Sequence, residues 1–201
     1  MRLLMTGFMP FPGVDVNPTQ LPIRYFQDET VALPKGVQLI PEVLPTAFEA
    51  AELRIRHLIR EEQPDAVLCL GVAQKREAIN IERIAHNWDE AIIPDMDGVQ
   101  LSGQKIVSDA PEMYYSTLPI ERMMAILLAA DIPAVFSDDA GRYVCNHVFY
   151  CARHEIDQLG RNMPCGFVHV PGLAGMGEFP GWEIERLLDG VKCCVEAIGG
   201  A

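Results

Sequence analysis

The run from residue 65 to residue 71 constrains the fold of this chain more than any other segment. Five apolar residues follow Asp65 without interruption, and Gly71 ends the run. A strand that is apolar on both faces must be covered on both faces, which is typical of the interior of a parallel sheet. Further apolar runs at residues 3–5, 37–44, 79–85, 134–136 and 166–170 alternate with helical periodicity at residues 20–26, 47–60, 120–130, 143–159 and 182–198. The sequence therefore predicts a single-domain α/β/α sandwich over residues 1–201, with a twisted, mostly parallel central sheet and helices on both faces.

The charge of the chain excludes several classes of partner. Sixteen Lys and Arg residues stand against 28 Asp and Glu residues, so the formal net charge is -12. A chain of this sign repels phosphate backbones and anionic lipid surfaces, and we expect no nucleic-acid partner. Its apolar runs fall far below the ~20 residues that cross a bilayer, and the N-terminus has no export-signal pattern. We therefore expect no membrane partner.

The cysteines do not form a pattern of their own. The chain has six cysteines and five histidines, without a Cys-x-x-Cys pair or the spacing of a zinc site. In a chain of this length and without an export signal, this usage favours reduced thiols in the cytoplasm. The spacing of the cysteines and histidines gives poor support for a structural metal site, and we expect none.

Cys145 lies where a predicted strand passes through a turn of small residues into a helix. The N–H groups and the positive end of the dipole at a helix start favour a thiolate, so the pattern predicts a lowered pKa and a nucleophilic thiol. The same N–H groups can bind a developing oxyanion. The alternative is a small buried residue that packs the start of the helix.

Two further segments carry groups that complete such a site. His169 lies near the end of the apolar strand that follows the cysteine helix, where an imidazole can accept the thiol proton and later protonate a leaving amine. Glu82 lies among isoleucines on a predicted strand, where a carboxylate can orient that imidazole. The alternatives are a histidine satisfied by backbone groups and a salt bridge from Glu82 to a neighbouring arginine. Together the three residues supply an acid, a nucleophile and a base.

Residues 88–112 have little periodicity and many turn residues. We expect a long surface excursion here, of the kind that often serves binding or assembly.

Several short sequence motifs are spread along nearly the whole chain. They are Thr6-Gly7-Phe8, Pro10-Phe11 and Asn17-Pro18 near the start, Glu82-Arg83-Ile84-Ala85 and Ile93-Pro94-Asp95 in the middle, and residues 137–146 and Phe167-Val168-His169-Val170-Pro171 towards the end. With these motifs the chain closely resembles the pyroglutamyl peptidase I family, also called the pyrrolidone-carboxylate peptidases. The cysteine segment is the most specific of them.

The resemblance implies an activity and a set of roles. It implies a cysteine exopeptidase that hydrolyses the amide bond after an N-terminal pyroglutamyl residue of a peptide through a thioester, without metal or cofactor. Cys145 is then the nucleophile, His169 the general base and acid, and Glu82 the group that orients His169. The substrate-binding residues that it implies are Phe8, Phe11, Asn17, Gly71, Val72, Ile93, Tyr143 and Val144. For Phe8 and Phe11 the alternative is an anchor between loop and core.

The sequence departs from the family pattern near the site. Gln74 stands where relatives usually have a small residue, and Asn80 stands where they usually have Ser or Thr. Ile92 stands where many bacterial relatives have Arg, and Pro12 replaces a common Gly. These departures leave open a different small amide or lactam as substrate, and a non-enzymatic relative with an idle triad is the alternative of another class. Bacterial members of the family form dimers or tetramers, so the resemblance implies a homo-oligomer, with residues 88–112 and the last helix as its contacts.

Overall fold

Ten strands and five helices form in residues 1–11, 16–176 and 179–200, the part of the chain that the computed structural model describes. The strands are β1 (Arg2–Phe8), β2 (Gln38–Leu44), β3 (Ala66–Val72), β4 (Ile79–Glu82), β5 (Ile84–His86), β6 (Asp89–Glu90), β7 (Ser102–Gln104), β8 (Met113–Tyr115), β9 (Ala134–Ser137) and β10 (Cys165–Val170). The helices are α1 (Gln20–Gln27), α2 (Phe48–Glu61), α3 (Ile120–Ala129), α4 (Val144–Gln158) and α5 (Ile184–Gly199). None of these helices is long and apolar enough to span a bilayer.

Six of the strands form one central sheet in the order β2-β1-β3-β10-β4-β9. All neighbouring pairs in it are parallel except β10 with β4. The remaining strands form two small antiparallel ribbons, β5 with β8 and β6 with β7. The predicted α/β fold with a mostly parallel sheet is confirmed, and the single antiparallel pair lies at the strands that carry His169 and Glu82.

Each face of the sheet has its own hydrophobic core. One core contains buried residues of α1, α3 and α5, and the other contains buried residues of α2 and α4. Because successive side chains of a strand point to opposite faces, β1, β3 and β10 contribute to both cores. In β3, for example, Leu68 faces the first core and Val67 and Cys69 face the second. This arrangement explains the continuous apolar run of β3.

The same alternation brings Glu82 and His169 to one face of the sheet. In β4, Ile79 and Ile81 belong to the core of α1, α3 and α5, so Glu82 points to the opposite face. In β10, Val168 and Val170 belong to that same core, so His169 also points to the side of α2 and α4. Glu82 is paired with Phe167, two residues before His169, which leaves the two side chains in diagonal contact.

The excursion at residues 88–112 contains more regular structure than its composition predicts. It holds β6 and β7, while β5 and β8 flank it as the second ribbon. The single strand predicted over residues 79–85 is two strands, because the chain leaves the central sheet at Arg83 and begins β5 at Ile84. Pairing with distant segments, rather than local periodicity, stabilises these short strands.

The start of α2 shows a second difference. Thr46 immediately precedes the helical periodicity at residues 47–60, so the sequence predicts that its hydroxyl caps this helix. In the structure that hydroxyl donates to the carbonyl of Met9, and the N–H of Phe48 donates instead to Asp95 Oδ2 at 2.8 Å. Asp95 also accepts from the N–H groups of Asp97 and Val99. The carboxylate that caps α2 therefore comes from the excursion.

Pro12 lies outside the described residues.

Candidate active site

His169 and Glu82 form a buried ion-pairing contact between β10 and β4. His169 Nδ1 lies 2.8 Å from Glu82 Oε1, and both side chains are almost fully buried. Burial of Glu82 disfavours its charged form, but hydrogen bonding and charge interaction with His169 outweigh burial, so the pKa of Glu82 is lowered. An ionised Glu82 that holds Nδ1 leaves Nε2 of His169 as the ring nitrogen available to a reacting group.

Arg76 is a site residue that the sequence analysis did not identify. Its Nη1 donates to Glu82 Oε1 at 2.7 Å, and its Nη2 donates to the carbonyl oxygen of Asp139 at 3.1 Å. Arg76 therefore links the carboxylate that holds His169 to the turn that leads to Cys145. The sequence signal was an arginine six residues before Glu82, but only the fold brings the two together, since Arg76 lies in the loop after β3.

Cys145 is the second residue of α4 and therefore lies in the first turn of this helix, as predicted. Among the residues that the structure describes, no side chain caps this helix, and the preceding Tyr143 has an extended backbone. The predicted lowering of the Cys145 pKa is wrong for the resting structure. Burial, with a smaller contribution from the charge of Glu82, raises the pKa of the Cys145 thiol to about 12, and the weaker effects of Arg76 and of its own N–H do not offset this. A thiol of this kind reacts only when a neighbouring base accepts its proton.

Cys145 and His169 line one cavity of about 260 Å³ at the side of the sheet that α2 and α4 cover. Its other described lining residues are Phe8, Phe11, Asn17, Thr46, Val72, Ala140, Tyr143 and Val144. Aromatic and aliphatic side chains dominate this set, and no carboxylate, lysine or arginine belongs to it. A cavity of this size and character suits a small, flat, uncharged group beside a thiol and an imidazole.

The cavity gathers most of the residues predicted to bind substrate, with additions and exceptions. Thr46 and Ala140 also line it, although no sequence pattern identified them as substrate-binding residues. Gly71 and Ile93 are not among its described lining residues. Gly71 lies beneath the site, since a Cβ atom there would be 2.7 Å from the Phe167 ring and 2.9 Å from His169 Cδ2. Ile93 is 45% exposed.

Asn17 has a structural part in the wall of this cavity. Its Oδ1 accepts from the N–H and the hydroxyl of Thr19, and its Nδ2 donates to the carbonyl of Met9. The hydroxyl of Thr19 in turn accepts from the N–H of Phe8 at 3.0 Å. These bonds fix the chain on both sides of the first loop and hold Phe8 in the cavity wall.

Three departures from the family pattern, Gln74, Asn80 and Ile92, lie in the described part of the chain, and none of them is among the described lining residues of the cavity. Asn80 is paired with His169 across β4 and β10, and its amide donates to the carbonyl of Ala78. Ile92 is 93% exposed and points to solvent. Gln74 packs close to Gly172, next to the end of β10.

The fold and this site define a class of protein. A cysteine in the first turn of a helix, a histidine on a central strand and a carboxylate that holds the histidine are the parts of a cysteine hydrolase with a Cys-His-Glu triad, built on an α/β sandwich.

Comparison with known proteins identifies the family within that class. The family described as Pyroglutamyl peptidase matches residues 1–199. The pyrrolidone-carboxylate peptidase of Thermosipho melanesiensis is 42% identical to this chain over 202 residues, which cover 98% of each chain. That of Pyrococcus furiosus is 37% identical over 206 residues, which cover 98% of this chain and 97% of the relative. The chain belongs to the pyroglutamyl peptidase family, which is a family of cysteine peptidases.

Solved structures agree with this assignment. The crystal structure of Bacillus amyloliquefaciens pyroglutamyl peptidase I superposes with a TM-score of 0.92 at 30% identity and covers 100% of this chain and 97% of its own. A mutant pyrrolidone carboxyl peptidase from Pyrococcus furiosus superposes with a TM-score of 0.90 at 35% identity, with 98% of each chain covered. The similarity therefore extends over the whole fold and not only over the cysteine segment.

Proposed function

We propose that this chain hydrolyses the amide bond that follows an N-terminal pyroglutamyl residue of a peptide, with Cys145, His169 and Glu82 as its catalytic triad. One observation carries the proposal: the Cys145 thiol and the His169 imidazole line the same apolar cavity, and Glu82 holds the far nitrogen of that imidazole. The names of the relatives support the choice of substrate.

The character of the cavity supports selection of a lactam. The pyroglutamyl ring is flat and uncharged, and it can lie against Phe8, Phe11 and Tyr143 with Val72 and Val144 beside it. A free amino terminus carries a charge, and the described lining residues offer no carboxylate to compensate for it. A charged group would therefore lose hydration without a partner, which disfavours ordinary peptides.

Acylation starts from a protonated thiol. Sγ of Cys145 attacks the carbonyl carbon of the scissile amide, not that of the lactam ring, while the thiol proton passes to Nε2 of His169. The ionised Glu82 stabilises the imidazolium that forms. The N–H groups at the start of α4 lie next to the thiol and can donate to the oxyanion of the tetrahedral intermediate. The C–N bond then breaks, the amine leaves with the proton from His169, and a thioester to Cys145 remains.

Deacylation uses the same groups in reverse. His169 accepts a proton from water, the resulting hydroxide attacks the thioester carbonyl, and the thiolate leaves and recovers the proton. Free pyroglutamate is released. Each proton that His169 accepts is returned within the cycle, so the chain needs no other acid or base.

The experiment that tests this function is release of a chromogenic amine from pyroglutamyl and prolyl anilides by the native chain and by Cys145→Ser. We expect turnover of the pyroglutamyl anilide only, with a loss of at least about 10⁴-fold in kcat/KM in Cys145→Ser. Equal turnover of the prolyl anilide would contradict selection of the lactam. If neither anilide is cleaved while iodoacetamide still modifies Cys145, another small amide or lactam is the substrate.

We also propose that the chain is a homo-oligomer of the cytoplasm. All six cysteines are free, which suits a reducing compartment. Ile92, Ile93, Met96 and Val99 expose apolar side chains in the excursion at residues 88–112, and such a cluster favours contact with a second copy. The apolar face of α5 lies in the core of its own chain and is not part of this surface. Light scattering of the native chain and of Ile92→Glu tests the oligomer, which we expect to dissociate in the variant.

A further inference from the structure

A second cluster of reactive side chains lies on the other side of the α4 N-terminus from the substrate cavity. Glu52 of α2 and His147 and Cys151 of α4 each bring one potential ligand atom within 4.8 Å of the others. His147 and Cys151 are four residues apart on a helix and therefore share a face. Glu52 Oε2 lies 3.2 Å from His147 Nε2.

The histidine of this cluster is oriented from its other side. Its Nδ1 lies 2.6 Å from Asp89 Oδ2, and both side chains are buried. A carboxylate on Nδ1 orients the ring so that Nε2 faces Glu52, and a carboxylate on the other ring nitrogen is the usual outer-shell arrangement of metal-bound histidines. Asp89, His147 and Glu52 also line one cavity of about 320 Å³, through which an ion can enter.

An independent observation is a buried carboxylate oxygen without a hydrogen-bond donor in this place. Asp89 is only 1% exposed, and its Oδ1 is buried without a hydrogen-bond partner among the described residues. A buried carboxylate oxygen without a donor is costly, and a nearby cation reduces that cost. The same cavity is lined by further carboxylates, with Lys105 as the one lysine or arginine among its described lining residues.

We propose that Glu52, His147 and Cys151 bind a divalent zinc ion, with Asp89 as the outer-shell partner of His147. Thiolate and imidazole ligands favour Zn²⁺ over Mg²⁺ or Ca²⁺, which take oxygen ligands. Ligand atoms around tetrahedral Zn²⁺ are roughly 3.5 Å apart, so the cluster needs only a small contraction. On binding, Cys151 releases its thiol proton and His147 any proton on Nε2, both to solvent, and water occupies the fourth position.

The neighbourhood of the site accommodates the ion. Arg56 Nε lies 2.9 Å from Glu52 Oε1, so its guanidinium contacts the carboxylate oxygen that the zinc does not need. Arg56 and Arg60 are both paired with Glu155, which compensates for part of their charge. The ion joins α2 to α4, and the ring of Phe48 lies between this site and the substrate cavity, in edge contact with both Tyr143 and His147. The site is therefore structural and adjacent to the catalytic one.

The test uses Cys145→Ser as the parent, because this change removes the active-site thiol as a competing ligand. We expect calorimetric titration with zinc chloride to give one ion per chain. Titration with Co²⁺, a spectroscopic substitute for Zn²⁺, should give a thiolate-to-cobalt charge-transfer band in the near ultraviolet. Adding Cys151→Ser should abolish the band and weaken zinc binding more than about 100-fold, whereas Asp89→Asn should weaken it about 10- to 100-fold.

Cys69→Ser, added to the same parent, is the matched control because Cys69 is also a fully buried thiol and lies outside the cluster. It should keep the band and the zinc affinity. Circular dichroism checks that each variant is folded, and Asp89→Asn retains the test if Cys151→Ser does not fold. Absence of stoichiometric zinc binding by the parent, or a cobalt band that survives Cys151→Ser, would overturn the proposal.

Discussion

At the scale of single residues, the environment of Cys145 decides how the site works. Its place in the first turn of α4 follows from the sequence, because a strand, a turn of small residues and a helix can be read locally. Its pKa does not, because it depends on burial and on groups such as Glu82, Cys69 and Arg76, which are distant in the chain and come near the thiol only through the fold. A raised pKa gives His169 a larger part than in a site with a preformed thiolate, since the imidazole must accept the proton before or during attack.

The dependence on His169 can be measured by alkylation. A thiol whose pKa is raised is mostly protonated at neutral pH, so its modification by iodoacetamide at pH 7 requires that His169 accept the proton. We expect His169→Ala to lower the rate at which iodoacetamide modifies Cys145 by at least about tenfold at pH 7. In this variant the modification rate should still increase as the pH is raised beyond 9.0, which is the ordinary pKa of a cysteine thiol. Peptide mapping assigns the label, and an unchanged rate in His169→Ala would contradict this account.

Arg76 gives a second prediction, as a positioning residue. Its hydrogen bond is one of the causes that lower the pKa of Glu82, so removing it should raise that pKa. Activity needs an ionised Glu82, and the acid limb of the pH–rate profile should therefore move to higher pH in Arg76→Gln. Loosening of the Asp139 turn should lower kcat by up to about 100-fold, with little change in KM.

Arg142→Gln is the control for Arg76. Arg142 also pairs with Asp139, through the side-chain oxygen Oδ1, but it does not contact Glu82. Its replacement should leave the acid limb where it is. A profile that is identical in native chain and Arg76→Gln would show that Arg76 has only a structural part.

At the scale of elements, the pairing of β3 with β10 fixes His169. Gly71 is paired with His169, and a methyl group at Gly71 would overlap the rings of Phe167 and His169. We expect Gly71→Ala to displace His169 and lower kcat/KM at least about tenfold, with a loss of about 1–3 kcal/mol in the free energy of unfolding. Steady-state kinetics and urea unfolding measure the two effects.

Gly166→Ala separates displacement of His169 from general overpacking. Gly166 lies on β10, the strand that carries His169. A Cβ atom at Gly166 would meet Ser116 and Leu118, on the face of the sheet opposite to His169. The expected result is a similar loss of stability with kcat/KM within about twofold of the native value. Equal losses of activity in both variants would argue against a specific effect on His169.

The elements that could be predicted are those with a strong local signal. The doubly covered β3, the long amphipathic α2 and the helix that starts at Val144 lie within about two residues of their predicted bounds. The strand β4 could be predicted, but its antiparallel direction, the two ribbons and the cap of α2 by Asp95 could not be, because each depends on a partner distant in sequence. Glu82, His169 and Cys145 could each be identified from a local sequence pattern. Arg76 and the cluster of Glu52, His147 and Cys151 could be identified only from the fold, because their contacts join segments that are distant in sequence.

At the scale of the whole molecule, we propose that the chain is one cooperative domain. Trp182 packs in the core of α1, α3 and α5, whereas the carbonyl of Trp88 accepts from Asn146 of α4 on the opposite face of the sheet. Trp88→Phe and Trp182→Phe therefore leave one fluorescent reporter on each face. Within each variant, the urea transition followed by fluorescence should coincide with that followed by circular dichroism. Transitions that separate would indicate two independently stable parts.

The most direct test of the account is to locate the acyl group during turnover. The chain is mixed with a pyroglutamyl anilide, quenched in acid within the first turnover, and digested for peptide mass spectrometry. The account predicts one pyroglutamyl group on the peptide that contains Cys145, and none in Cys145→Ser. An acyl group on another residue, or continued turnover by Cys145→Ser, would contradict it.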